Sequence, residues 1–358
     1  MNALHDIYYN IGFDELSGNF QNINYSGEGL GNDPVVVINL KNDLNGKKEI
    51  AYNRRFYTGG AMAFGTPVDG QHPILYMDNL DYATNNHGLI HEYTHGVYGR
   101  TAQRSEHGEC QNYSSYYGEK TEDESGPICE GYSEFFASSL AYKDRKNKWT
   151  FGHLWRYTNE SLGQGRSSIK QSGYDRMEFF AGALNDAMFL ICGENNAVKG
   201  FKCDKNLMQE FKLVAKRNLP YNVVLFQIAL DAISRIPCRP NFESWRNAIF
   251  DAVAHHRVTY NSRHFKCLLW VSFANRGFGA NATEEYTKTY SPRSGILFEQ
   301  YENNFDLPEE CLFTDDGKTD STYTNILSKV RMNYEDFNYS IAYERYIKGE
   351  LAKINSKN

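Results

Sequence analysis

The sequence predicts an α+β protein, and three observations carry this prediction. Short apolar runs separated by turn residues, at 35–38 and within 50–77, indicate strands in the first part of the chain. A histidine-containing helix is predicted from about residue 87, and helical patterns dominate from residue 130 onward. With 358 residues the chain can bury a large core, in one large domain or in two lobes.

Composition narrows the function classes. The net charge of −6 argues against nucleic acid as a partner. No window of eighteen apolar residues occurs, so we expect no membrane span, and the first residues lack the pattern of a signal peptide. The seven cysteines contain no C-x-x-C spacing and leave at least one thiol unpaired within the chain. Cys192 and Cys203 could close a short loop, but spacing alone does not fix the connectivity.

The strongest local signal is an H-E-x-x-H pattern formed by His91, Glu92 and His95. On a helix, positions i and i+4 lie on one face, so both imidazoles can point at one metal ion. Glu92 follows the first histidine, where a general base for an attacking water is needed. The alternative is a surface helix with two solvated histidines.

A zinc site of this kind needs a third protein ligand. Glu130 and Glu134 are also four residues apart, and they precede an apolar run at 135–140 that predicts a buried helix. Two carboxylates on one face of a buried helix need a cation or a donor. We expect Glu130 to bind zinc, and we expect a ligand histidine to donate a hydrogen bond from its other ring N–H to Glu134. The alternative is an exposed helix start, where the helix dipole favours acids.

Further helices are predicted along the chain. Leu4, Ile7, Tyr8 and Ile11 follow helical spacing and Gly12 stands where the helix would end. Apolar segments predict later helices at about 179–190, 223–233, 245–254 and 268–273. The stretch from 100 to 127 predicts a long loop, and an exposed helix is expected at about 339–354.

Several motif blocks occur in one order that is specific to a known family. They lie at 4–6, 12–13, 18–21, 29–35, 66–71, 91–96, 130–136, 237–242, 273–280 and 307–311. With them the chain resembles the fungalysin-type metallopeptidases, relatives of thermolysin, over roughly residues 2–311. The resemblance implies a two-lobed zincin with the zinc helix between the lobes. Residues 1–100 would form a partial, β-containing N-terminal lobe, 101–311 a mainly helical C-terminal lobe with the third ligand, and 312–358 a polar extension.

The resemblance also implies the site and the activity. His91, His95 and Glu130 would bind one Zn²⁺ per chain, and Glu92 would be the catalytic carboxylate. The implied activity is cleavage of protein or peptide substrates by a secreted endopeptidase made with an N-terminal propeptide. We expect it to act as a monomer, without nucleic-acid or membrane partners.

Four departures from the family pattern bear on activity. The propeptide and the opening β-rich part have no counterpart in this chain, and Glu134 stands where the family has Asp. Tyr174 stands where the family has a histidine that donates to the developing oxyanion. A tyrosine hydroxyl can also donate, although Tyr174 could equally be an ordinary wall residue. The edge that binds substrate backbone contains Ala61 and Met62, without the family's asparagine side chain.

The sequence thus predicts a zinc metalloendopeptidase. In this mechanism Glu92 takes a proton from a zinc-bound water and passes it to the leaving amine. The alternative is a catalytically impaired homologue that binds zinc and acts as a binding or inhibitory protein. A third interpretation, an aminopeptidase-type zincin, rests on the weak G-A-M match at Gly60. Against it, Ser114 stands where that class needs a glutamate.

Overall fold

The computed structural model describes residues 2–39, 51–52, 55–56, 62–65, 68–77, 86–102, 125–140, 173–192, 219–237, 240–256, 262–283, 286–291, 296–301 and 303–336. Within these residues the N-terminal elements are α1 (Asn2–Ile11), β1 (Val36–Asn39), β2 (Ala51–Tyr52), β3 (Arg55–Phe56), β4 (Met62–Gly65) and β5 (Ile74–Met77). The helices that follow are α2 (Asn86–Ala102), α3 (Ser125–Leu140), α4 (Gly173–Cys192), α5 (Tyr221–Arg235), α6 (Phe242–His255) and α7 (Ser262–Asn275). The last elements are β6 (Tyr286–Ser291), β7 (Ile296–Tyr301), α8 (Glu309–Leu312) and α9 (Thr322–Asp336).

A three-stranded sheet has the order β1-β5-β4. Strand β1 runs parallel to β5, with Val36 opposite Ile74, and β4 runs antiparallel to β5, with Met62 opposite Met77. Buried Leu75 and Met77 of β5 pack against Leu89 at the start of α2. The sheet therefore lies beside the predicted metal helix, and the strand predicted at 35–38 is confirmed as β1, one residue later.

The helices build one large apolar core. Helix α3 packs against both α2 and α4, α5 packs against α2, α4 and α6, and α4 packs against α7. The helices predicted around 179–190, 223–233, 245–254 and 268–273 are confirmed within α4, α5, α6 and α7. This mostly helical structure with a small sheet agrees with the predicted α+β class. The division into two lobes, and the three segments proposed from it, stay predictions.

A layer of aromatic rings joins α1 to α2. Tyr8 of α1 lies 5.3 Å, between ring centroids, from both Tyr93 of α2 and Phe136 of α3. Phe136 in turn stacks on Phe226 of α5, also at 5.3 Å. The Tyr8 hydroxyl is hydrogen-bonded to the Thr94 hydroxyl, one residue before His95. Because this layer is buried on every side, it fixes the rotation of α2 about its own axis.

The C-terminal end of α2 is held by a buried ion pair. Arg100 donates from Nη1 to Asp33 Oδ2 at 2.7 Å and to the carbonyl oxygen of Gly18 at 2.8 Å. Its guanidinium also lies over the Phe20 ring, 5.0 Å from the centroid. Loops from the N-terminal part of the chain thus hold the C-terminal end of α2, the helix that contains His91 and His95.

Three features of the C-terminal half did not follow from the sequence patterns. Strands β6 and β7 form an antiparallel hairpin in a region expected to be mainly helical. A disulfide joins Cys267 of α7 to Cys311 of α8. Helix α9, in the segment expected to be a polar extension, packs on α7, and Tyr323 accepts or donates a hydrogen bond with His264 at 2.7 Å. The helix expected at 339–354 lies outside the described residues.

Among the helices in the described ranges, none is both long and apolar enough to cross a bilayer.

Helix α6 begins with a capping box whose loss should be measurable. Asn241 Oδ1 accepts from the Ser244 amide at 2.8 Å, and Ser244 Oγ accepts from the Asn241 amide at 2.9 Å. We expect Asn241→Ala to lower the free energy of unfolding by about 1 kcal/mol, because the Ser244 amide loses its acceptor. Urea unfolding measures the change. Asn241→Asp, which keeps an acceptor, is the control, and equal losses in both variants would contradict the capping explanation.

Candidate metal centre

Helix α2 separates its residues into a core face and a polar face. Ile90, Tyr93 and Val97 are buried in the core. His91 and His95, one helical turn apart, are only partly buried and face α3, where Glu130 and Glu134 are buried. The two helices pack side by side, so the predicted ligand segments meet although about forty residues of sequence separate them.

Three ligand atoms converge on one point. The Nε2 atoms of His91 and His95 lie 3.0 Å apart. Glu130 Oε2 lies 3.1 Å from Nε2 of His91 and 3.4 Å from Nε2 of His95. Ligand atoms about 2.0–2.1 Å from one tetrahedral zinc ion are separated by about 3.3 Å. The observed triangle therefore has nearly the size that a shared zinc ion requires.

The other ring nitrogen of His91 is held by Glu134. Nδ1 of His91 donates to Glu134 Oε2 at 3.3 Å, and Nε2 of His87 donates to Oε1 at 2.9 Å. Burial raises the pKa of Glu134, but the hydrogen bonds from His87 and His91 outweigh burial and hold it well below its usual range. Glu134 is thus an anion that accepts from both rings, so the neutral form of His91 has its Nε2 lone pair toward the centre.

The second histidine has its own partners. Ser133 Oγ lies 3.0 Å from Nδ1 of His95, and Cys129 Sγ lies 3.1 Å from the same nitrogen. Ser133 Oγ can accept a hydrogen bond from Nδ1–H, so the neutral form of His95 also presents an Nε2 lone pair. Burial raises the pKa of the Cys129 thiol above its usual range, even though His95 acts in the opposite direction.

The chemistry of these groups fits a cation. Two imidazole lone pairs and one carboxylate oxygen within 3.4 Å of one another repel unless a proton or a metal ion lies between them. Burial lowers the pKa values of His91 and His95, but Glu130, together with Glu134 at His91 and Cys129 at His95, outweighs burial and raises both. Burial raises the pKa of Glu130, and the two rings hold it well below its usual range. The shifts of the two rings thus favour positive charge beside the ionised Glu130 carboxylate.

Glu92 lies at the edge of this centre. One of its carboxylate oxygens lies within 4.8 Å of a ring nitrogen of His91 and of a ring nitrogen of His95. A carboxylate this close to the two rings can reach a water at the centre, as a general base must.

The remaining predicted site residues are less fully described. Tyr174 is the second residue of α4, a helix that packs against α3. Met62 begins β4, which packs against α2, and Ala61 lies outside the described residues. The oxyanion role of Tyr174 and the substrate-binding role of the 61–62 edge stay predictions.

His87 was not anticipated as part of the site. It precedes His91 by four residues, as His91 precedes His95, so all three lie on one helix face. This i, i+4, i+8 spacing is a sequence signal that could have pointed to it. Cys129 and Ser133 were missed for another reason, because only the packing of α3 on α2 brings them to His95.

Two imidazoles and a carboxylate on packed helices, with a second carboxylate beside them, define a centre of the metallopeptidase type. The chain belongs to the fungalysin metallopeptidase family (M36), whose pattern matches residues 1–282. The resemblance predicted from the motif blocks is therefore confirmed, and membership of the family implies a metal cofactor.

Several curated fungal proteins are similar to this chain. Extracellular metalloproteinase 4 of Arthroderma gypseum is 27% identical over 313 residues, which covers 80% of this chain and 43% of the relative. Extracellular metalloproteinase 2 of Trichophyton rubrum is 27% identical over 333 residues, covering 87% of this chain and 45% of the relative. Extracellular metalloproteinase 4 of Trichophyton soudanense is 26% identical over 313 residues, which covers 80% of this chain and 71% of the relative. The chain thus spans less than half the length of the first two.

Proposed function

We propose that this chain is a zinc-dependent metalloendopeptidase that hydrolyses peptide bonds in proteins. One observation carries the proposal: Nε2 of His91, Nε2 of His95 and Oε2 of Glu130 converge within 3.4 Å, with the Glu92 carboxylate beside them. The family match and the names of the relatives support the same activity. Secretion, as in relatives named extracellular, and synthesis with a propeptide belong to this proposal as well.

The three converging residues would hold the zinc ion, which when bound supplies a Lewis acid that polarises the scissile carbonyl and acidifies water. Glu92 accepts a proton from the attacking water and delivers it to the leaving amine, so no covalent intermediate with the protein is needed. Glu134 and Ser133 keep the two imidazoles oriented through their Nδ1 atoms. Tyr174, at the start of α4, would donate to the developing oxyanion.

Substrate backbone would pair with β4. Within the described sheet this strand has β5 on one side only, and it packs against α2, the helix that carries the proposed ligand histidines. An extended peptide can add to such an edge through main-chain hydrogen bonds. Residues 61–62 would contribute backbone groups to this pairing, since Ala61 offers no side-chain amide.

The proposal is tested by hydrolysis of unfolded casein with the purified, zinc-loaded chain. We expect activity that disappears with a chelator and returns when zinc is added back. No hydrolysis, in spite of one tightly bound zinc per chain, would instead support the second candidate, a zinc-binding homologue that acts as a binding or inhibitory protein. The tyrosine in place of the family's histidine is the observation that favours this second candidate.

Zinc binding should strengthen as pH rises. The pKa values of His91 and His95 are raised in the metal-free chain, so these rings stay protonated to a higher pH than an ordinary histidine does. Zinc must displace those protons in order to bind. The two protonated rings contribute fully to the stability of the metal-free chain at pH values below the unfolded-state pKa of about 6.5. By linkage, this contribution is lost as the pH rises through the folded-state pKa. We therefore expect the gap in melting temperature between zinc-loaded and chelated protein to widen from about pH 5.5 to about pH 8.

Differential scanning calorimetry at several pH values measures this gap. His95→Gln, which removes one ligand, should show little gap at any pH. A gap of the same size at every pH would contradict the competition between protons and zinc.

A further inference from the structure

Glu134 uses its two oxygens for two different histidines. Oε2 accepts from Nδ1 of His91 at 3.3 Å, and Oε1 accepts from Nε2 of His87 at 2.9 Å. The carboxylate is buried, whereas the His87 ring is 31% exposed at the first turn of α2. The shorter of the two contacts is thus the one made by the histidine that is not a proposed ligand.

The side-chain length of Glu134 explains why a second partner is useful. Glutamate has one more rotatable bond than aspartate, so a carboxylate held only through Oε2 would be ordered at a larger entropic cost. The first turn of α2 supplies a donor for Oε1, because His87 lies one helical turn before His91 on the same face. The two rings are nearly parallel, with an interplanar angle of 24° and centroids 6.5 Å apart, so the carboxylate bridges them.

We propose that His87 is a positioning residue of the metal centre, which holds Glu134 so that Glu134 keeps the His91 ring in its metal-binding orientation. The proposal rests on the zinc site put forward above. His87 does not touch the metal or the substrate in this account. It acts through Glu134, and its removal changes zinc binding only as long as Glu134 is present.

The expected effects have a definite pattern. Loss of a hydrogen-bonding partner of a metal ligand typically weakens metal binding by about 10- to 100-fold. We expect Glu134→Ala to weaken zinc binding by a factor in this range. His87 lies one contact further from the metal, so we expect His87→Ala to weaken zinc binding by about tenfold, near the lower end of the range. In the Glu134→Ala background, His87→Ala should change the zinc Kd less than about twofold, because coupled residues are not additive. His87→Gln keeps an N–H donor and should restore most of the affinity.

The experiment measures the zinc Kd of the full chain by competition with a chromophoric chelator at one pH. The control variant is His255→Ala, since His255 lies at the end of α6 and its side chain is 61% exposed. Urea unfolding of the metal-free variants separates positioning from general stability, and it should give similar free energies for wild type and His87→Gln. Casein hydrolysis is followed in parallel.

A tenfold loss in His87→Ala that His87→Gln reverses, and that disappears without Glu134, would support the proposal. Unchanged zinc affinity in His87→Ala, or an equal loss with and without Glu134, would overturn it while leaving the peptidase function intact. A wild-type chain that binds no zinc would overturn the proposed function itself, and this inference with it. The wild-type measurement therefore distinguishes the two failures.

Discussion

Glu92→Gln is expected to lower kcat for casein or peptide hydrolysis by about 10²- to 10⁴-fold, the usual contribution of a general base. The amide keeps the size and the hydrogen-bonding shape of the carboxylate but cannot accept a proton at neutral pH. Because Glu92 is not among the three converging ligand atoms, zinc content should stay at one per chain. Steady-state kinetics and metal analysis of the same preparation measure both quantities.

The matched control is Glu28→Gln, an exposed carboxylate in an N-terminal loop. This variant should hydrolyse casein at the wild-type rate, which shows that the loss depends on position and not on charge alone. Wild-type activity in Glu92→Gln would contradict the assignment of the base. Loss of zinc together with activity would instead make Glu92 a ligand.

Arg276→Met is expected to give the largest loss of stability, about 3–5 kcal/mol in the free energy of unfolding. Arg276 follows α7 and donates from Nε to Asp186 Oδ2 at 2.7 Å and from Nη2 to Oδ1 at 3.0 Å. Both residues are buried, and Asn275 Nδ2 also donates to Asp186 Oδ2 at 3.1 Å. Methionine fills a similar volume but cannot donate hydrogen bonds. Of the donors named here, the buried Asp186 carboxylate of α4 then keeps only the side-chain amide of Asn275.

Urea unfolding of the zinc-loaded proteins measures this loss. Lys266→Met is the control, because the Lys266–Glu310 pair is partly exposed and such pairs contribute about 0–1 kcal/mol. A loss below about 1 kcal/mol in Arg276→Met would contradict the idea that this pair fixes α4 against α7. Since Tyr174, the proposed oxyanion donor, lies in the first turn of α4, a loosened α4 should also lower kcat.

The centre was largely predictable because each half of it follows a helical rule. His91 and His95 lie on one face by their spacing, and Glu130 and Glu134 do so on a helix whose apolar run predicts burial. The contact between Glu134 and Nδ1 of His91 was expected for the same reason, because a buried carboxylate needs a donor. Which helices are neighbours was implied by the family resemblance, not by periodicity.

Other features depend on long-range packing that local patterns do not encode. Strands β6 and β7 are antiparallel partners, and their polar, aromatic sequence gives no clean alternation. The Cys267–Cys311 disulfide needs α8 to lie against α7, which spacing alone does not reveal. Tyr323 and Leu327 of α9 are buried although the segment that carries them has a polar composition.

X-ray absorption at the zinc edge of the loaded chain tests the ligand assignment most directly. With two imidazoles, one carboxylate and water, the nearest neighbours of zinc should be nitrogen and oxygen only, at about 2.0–2.2 Å. Cys129 lies beside His95, so a wrong assignment would have a clear signature. A sulfur neighbour at about 2.3 Å, or an unchanged spectrum in Glu130→Gln, would contradict the centre formed by His91, His95 and Glu130.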